Sequence, residues 1–239
     1  MFKPPGVLSQ KKDQAHPSLI EFAGEYLRLH YAKPGRAFVA PVQRLDRVAS
    51  GFMVLARTSK GARRLSEAWP GKWPNRFENK VHKGYWAIVT VKPPESKGSL
   101  SGAFYKEKGR SGYLSSIHSQ SHKQDSAKAK TQDGRAVHNY ALDYEQITQK
   151  EGLYLLHIKI LSGRFHEIRS LLGAHGLPIL GDSKYGEQQL RRSPFQQIGL
   201  VASELRFPHP TSGELLSFSL DNNSDLTPER LLSTFARLR

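Results

Sequence analysis

An aspartate stands between two arginines in Arg44-Leu45-Asp46-Arg47, just ahead of Ser50-Gly51 and the apolar run Phe52-Met53-Val54-Leu55-Ala56. Flanking positive charge favours an ionised carboxylate. Such a carboxylate, presented from a rigid loop, is equipped to act as a nucleophile or as an electrostatic stabiliser. Alone, the pattern is ordinarily a weak surface ion pair. A second segment changes that weighting. Ser162-Gly163-Arg164-Phe165-His166-Glu167-Ile168-Arg169 reads as a strand-to-helix junction, where free backbone N–H groups and two arginines make a site for an anion. Helical spacing puts Arg169 on the face of Phe165 and Leu172, pointing inward. A buried arginine needs a carboxylate: Asp46 is the candidate, with Glu167 or another surface acid as the alternative. His166 is open to three roles, as general base, phosphate contact or hydrogen-bonded structural residue. A third segment, Gly176-Leu177-Pro178-Ile179-Leu180-Gly181-Asp182-Ser183-Lys184-Tyr185-Gly186, specifies a tight turn of fixed shape.

Composition narrows the partners. The 239 residues include 36 Lys and Arg against 21 Asp and Glu, a formal net charge of +15. That excess attracts polyanions, above all nucleic acid; the alternatives are a generally basic soluble protein or one drawn to acidic membrane surfaces. Cysteine is absent, which excludes disulfides, thiolate-bound zinc and a cysteine nucleophile and fits a reducing cytoplasm. Scattered histidines argue against a metal site. No apolar run is long enough to cross a bilayer, and the start, Met1-Phe2-Lys3-Pro4-Pro5-Gly6, carries no signal core. A cytoplasmic protein with no membrane partner is expected.

The elements that must position these residues follow from periodicity. Ser18-x-x-Glu21 is a capping box opening a helix whose Leu19, Phe22, Ala23, Tyr26 and Leu27 form one apolar stripe. Phe52 to Arg57 reads as a buried strand, 59–68 as a short basic helix, and Trp69 to Trp73 as a turn. Gly84 to Lys92 is aromatic and β-branched, a central strand. Residues 93–135 are polar and read as a long mobile loop or a weak hairpin. Val137 to Tyr144 pairs with Leu153 to Leu161, residues 166–174 form a helix, and Leu200 to Phe207 pairs with Leu215 to Leu220. Thr227-Pro228 starts a last helix with Leu231, Leu232, Phe235 and Leu238 inward. The class is α+β: one domain over 1–239, with a mixed, mostly antiparallel central sheet flanked by helices.

Taken together, the three segments resemble the RluA-type family of RNA pseudouridine synthases. The family pattern H-R-L-D-x-x-x-S-G is matched from Gln43 to Gly51, with Gln43 in place of His. G-R-x-H-Q-[IL]-R is matched from Gly163 to Arg169, with Glu167 for Gln and Phe165 for a small polar residue. G-x-P-[IL]-L-G-D-x-x-Y-G is matched from Gly176 to Gly186, K-x-Y-x-A-x-V from Lys83 to Val89, and the opening K-P-x-G at Lys3 to Gly6. The resemblance implies the family's catalytic fold without a separate N-terminal RNA-binding domain. It implies an isomerase needing no cofactor or metal, which acts on structured ribosomal or transfer RNA. In it Asp46 attacks the ribose anomeric carbon or otherwise initiates cleavage of the uridine N-glycosidic bond. Tyr85 sets its ring against the uracil, and Arg169 pairs with the aspartate. Arg44 fills the gap left by the flipped uridine. Arg47, Arg164, His166 and Ile168 complete the expected substrate contacts, and a monomer is expected. The alternative is a catalytically silent RNA-binding or ribosome-assembly module on the same scaffold.

Overall fold

A computed structural model describes residues 1–11, 15–69, 81–106, 114–117, 136–160, 162–186, 197–220 and 227–236. The strands are β1 (Phe2–Lys3), β2 (Ala40–Pro41), β3 (Ser50–Phe52), β4 (Leu55–Ala56), β5 (His82–Val89), β6 (Lys97–Lys106), β7 (Leu114–Ile117), β8 (Val137–Lys150), β9 (Leu153–Ile160), β10 (Leu200–Pro208) and β11 (Leu215–Ser219). The helices are α1 (Leu19–His30), α2 (Ser59–Ala68), α3 (Glu167–Ala174) and α4 (Pro228–Ala236). Nine strands make one sheet in the order β1-β3-β10-β5-β9-β8-β6-β7, with β11 also on β10. Every pair is antiparallel except β3 with β10.

Period-two alternation along β5 sends side chains to two cores. Tyr85, Ala87 and Val89 join Leu156, Ile158 and Ile160 of β9 beneath Ile168, Leu171 and Leu172 of α3. Trp86 and Ile88 face the other way, against Leu231, Leu232 and Phe235 of α4. With both faces covered, β5 is buried at seven of its eight positions. The sheet thus holds Tyr85 rigidly on the face that carries α3.

Several expectations are refined. Phe52 to Arg57 is not one strand: β3 lies in the large sheet, and β4 pairs with β2 in a separate ribbon. The linking Met53 exchanges backbone hydrogen bonds with Met1, so the chain steps from one sheet to the other. The central strand begins two residues earlier than its composition suggests and stops at Val89. Within 93–135, Lys97–Lys106 is a ten-residue strand laid on β8, and β7 pairs back onto it. The polar run 119–130, all but Trp69 of the turn expected at Trp69 to Trp73, and Leu238 lie outside the described residues. On α1 the capping box forms as expected, but the stripe divides: Leu19, Ala23 and Leu27 are buried while Phe22 and Tyr26 are exposed.

One glycine is dictated by packing. Gly51 has φ +125°, and a Cβ there would lie 2.4 Å from both the backbone N and O of Ala202. Only glycine lets β3 approach β10 so closely. Gly51→Ala is expected to cost about 3 kcal/mol or more, read as a lowered urea midpoint.

Candidate active site

The loop that carries Asp46 is clamped from several sides. Lys3, fully buried, donates from Nζ to the carbonyls of Pro4 (2.9 Å), Val7 (2.9 Å) and Arg47 (3.2 Å). Gly6 N also donates to Arg47 O at 2.8 Å. Ser9 Oγ donates to Leu45 O at 2.7 Å and accepts from Leu45 N at 3.0 Å. Val54 N donates to Gln43 Oε1 at 3.2 Å, so the glutamine that departs from the family pattern pins the loop by its amide. Burial pulls the Lys3 pKa down to about 8, against the favourable charge of Asp46. That cost is borne where it fixes the backbone around the carboxylate.

Arg169, 4% exposed, is reached from two directions. Its Nε and Nη2 donate to Oδ2 and Oδ1 of Asp182, each at 2.7 Å, and its Nη1 donates to Asp46 Oδ2 at 2.7 Å. Asp182 Oδ1 also accepts the backbone N–H groups of Lys184 (2.9 Å) and Tyr185 (3.3 Å). Burial alone would lower the Arg169 pKa and raise that of Asp182; their mutual hydrogen bonds reverse both, leaving the arginine raised and the aspartate lowered. A planar guanidinium held bidentately has one orientation, and that orientation aims Nη1 at Asp46. The other oxygen of Asp46 accepts no hydrogen bond among the described residues. That oxygen is left available to the pocket that Asp46 lines.

His166 is the αL residue (φ 53°) that caps α3. Arg169 Nη1 lies 3.2 Å from its Nε2, and Tyr185 Oη lies 2.9 Å from its Nδ1. A guanidinium only donates, so Nε2 accepts and the ring proton sits on Nδ1, donating to Tyr185. Burial holds the His166 pKa down at about 4, outweighing the opposite pull of Asp46. The 3.5 Å approach of Nε2 to Asp46 Oδ2 is therefore no ion pair at neutral pH. Both nitrogens are engaged and the ring is stacked under Phe165 at 3.8 Å, which favours the structural role over phosphate contact. Because the unfolded value is near 6.5, the unfolded chain binds the extra proton between pH 6.5 and 4 while the native state does not. Stability contributed by neutral His166 is present above that window and lost as pH falls through it, about 2 kcal/mol between pH 7 and 5. Denaturant titrations at the two pH values should show that loss in the native chain and a smaller one in His166→Gln.

The pocket that these groups face is lined by Arg44, Asp46, Tyr85, Arg164, His166, Ile168 and Arg169, with Glu167, Gly163, Leu200 and Ala202 among its other walls. Tyr85 is buried on β5, and burial first, then the charges of Glu167 and Asp46, raise its pKa, so the phenol stays protonated. Arg47 is absent from the pocket wall; it enters the site through its carbonyl, as described. Arg164 reaches from the rim to Asn139 O at 3.1 Å. Phe165, expected on the inward face of α3, precedes the helix and is 45% exposed.

A family model described as RNA pseudouridylate synthase matches residues 1–174. The chain belongs to the RNA pseudouridylate synthase family. It is 27% identical over 202 residues to an uncharacterized RNA pseudouridine synthase of Haemophilus influenzae, covering 84% of this chain and 75% of that one. It is also 27% identical over 191 residues to ribosomal large subunit pseudouridine synthase D of Zymomonas mobilis, covering 77% and 53%. Against several such relatives the chain spans only about half their length. Among solved structures, human RNA pseudouridylate synthase domain containing 4 superposes with a TM-score of 0.67 at 19% identity, over all of this chain and 88% of that one. This likeness shows the shared fold.

Within the family pattern, Glu167 departs without disturbing Arg169. Its carboxylate accepts from Ser162 Oγ (2.7 and 2.6 Å) and from Arg164 N (2.9 Å). Lys83, buried beside it, donates to Ser162 O at 3.0 Å. Burial lowers the Lys83 pKa to about 8, opposed by the charge of Glu167. The acid is thus compensated locally and leaves the arginine to the two aspartates. Reading the segments one by one missed Asp182 and Tyr185. The available signal was that a buried arginine needs a carboxylate, and Asp182 lies in the fixed turn that follows the helix carrying Arg169.

Proposed function

We propose that this chain isomerises uridine to pseudouridine in RNA, with Asp46 initiating cleavage of the glycosidic bond. The observation that carries the reading is the Asp46 carboxylate, held on one oxygen by Arg169 and facing a pocket that Tyr85 also lines. In the reaction the C1′–N1 bond breaks and a C1′–C5 bond forms; N1 ends with a proton and the proton on C5 departs. The change is isomeric, so the pocket has to provide only a carboxylate, a flat wall for the base and exclusion of water. Tyr85, protonated and rigid on β5, supplies the wall. Ile160, Leu200 and Ala202 keep the floor apolar, and Arg44, exposed at the rim, is placed to fill the stack that a flipped uridine leaves.

The names of several relatives, ribosomal large subunit pseudouridine synthases C and D, favour ribosomal RNA as the substrate class. Loss of the C5 proton gives the test. Purified chain incubated with total RNA carrying tritium at uracil C5, taken from cells lacking this gene, should release tritium to water. No release above background would reject the reading.

A further inference from the structure

The C-terminal end of α1 carries a surface that the chemistry at Asp46 leaves unused. Opposite the buried Leu19, Ala23 and Leu27, the side chains of Phe22 (52% exposed), Tyr26 (57%) and Tyr31 (48%) open to water. The rings are ordered into a tier. Tyr26 and His30 stack at 5.3 Å with planes 12° apart, and His30 meets Tyr31 edge-on at 4.8 Å. The Arg57 guanidinium carbon lies 4.5 Å over the Tyr31 ring, and its Nη1 donates to the Tyr31 hydroxyl at 3.1 Å.

Charge decides what such a tier meets. Between Tyr26 and Ser66 the sequence has nine Lys and Arg and a single acid, Asp46 itself. Lys33, Arg36, Arg44 and Lys60 form no ion pair among the described residues. An apolar protein partner would confront that unbalanced positive charge, whereas a polyanion with flat bases satisfies both features: bases stack on rings and guanidinium, and cations track phosphates.

Placement links the tier to the pocket. Leu19 N donates to Leu8 O, and the next residue, Ser9, clasps Leu45, so α1 starts beside the catalytic loop. Tyr31 lies about 18 Å further on at 1.5 Å of rise per residue. Arg57 follows β4, whose partner β2 runs through Val42 and Gln43 into Asp46. The geometry points to a docking surface, formed by Tyr26, His30, Tyr31 and Arg57, for a single-stranded RNA segment flanking the target uridine. The inference rests on RNA being the substrate, and it adds where the flanking strand is held. Stacking accepts any base, so this surface contributes affinity and reach, and choice of uridine is left to the pocket.

The test uses the full chain and a fluorescein-labelled oligouridylate of about 12 nucleotides, followed by fluorescence anisotropy across a salt series. Tyr26→Ala/Tyr31→Ala should bind roughly 10-fold or more weakly, since each lost stack removes a sizeable factor, with the salt slope unchanged. Lys33→Gln/Arg36→Gln should instead flatten the salt slope. All four positions are exposed, and thermal melts of both variants should match the native chain. Photocrosslinking with 5-iodouridine in the oligomer should map to Tyr26 or Tyr31. Equal affinity of native chain and Tyr variant overturns the inference, as does failure of the native chain to bind the oligomer at low salt. Concentration-dependent dimerisation lost in the Tyr variant, with oligomer affinity unchanged, would overturn it in favour of a second copy. Asp46→Asn separates this from the catalytic reading: it should keep oligomer affinity and lose tritium release, whereas the Tyr variant should keep turnover at saturating RNA.

Discussion

Asp46→Asn is expected to lower tritium release from C5-labelled RNA by about 10⁴-fold or more, because a residue that opens a covalent pathway leaves little behind when removed. The substitution keeps the size of the side chain. Asparagine still offers an oxygen to Arg169 Nη1, so the loop clamped by Lys3, Ser9 and Gln43 should keep its shape. RNA affinity should stay within a factor of about two, and the melting temperature should not fall. Coincident loss of affinity and activity would mean that Asp46 positions RNA instead of reacting with it.

Asp182→Asn should give the largest loss of stability. The substitution removes the charge that is bidentate on a buried guanidinium and leaves Asp46 as the one carboxylate on Arg169 among the described residues. Breaking a buried pair by removing one partner costs about 3–5 kcal/mol, equivalent to roughly 10 °C in melting temperature for a domain of this size. A functional signature should accompany it. With its inner anchor weakened, Arg169 is free to rotate, and a displacement near 1 Å at the reacting groups costs about 10²-fold. The loss should appear in kcat, measured well below the melting temperature, with KM little changed, and Asp182→Glu should restore part of the stability but less of kcat. Loss of stability with unchanged kcat would reduce Asp182 to a packing role.

Much of this was legible in the residues. The α+β class and the mostly antiparallel sheet followed from alternation in 137–144 and 153–161 and from the aromatic strand ahead of Lys92. That Arg169 turns inward and needs a carboxylate followed from a helix that begins at a strand end; Asp46 stood as candidate beside Glu167, and the structure pairs Arg169 with Asp46. What escaped has physical reasons. Periodicity registers that Phe22 and Tyr26 are apolar and helically spaced, but not that Leu19, Ala23 and Leu27 alone meet the sheet. Low apolar content left 93–135 open between a loop and a weak hairpin; β6 and β7 pair as a hairpin, and what stayed hidden is the long pairing of β6 with β8, carried by backbone hydrogen bonds where Gly98 and Gly102 give way to Tyr144 and Phe104. Asp182 looked like a turn residue, since an Asp that accepts N–H groups two and three residues on reads the same whether or not a guanidinium lies behind it.

The most direct check is a map of pseudouridines in cells from which this gene has been deleted and then restored as either the native chain or Asp46→Asn at equal abundance. The account predicts that at least one uridine loses its modification on deletion, regains it fully with the native chain and stays unmodified with the variant. A variant that restores the same positions as the native chain would contradict it.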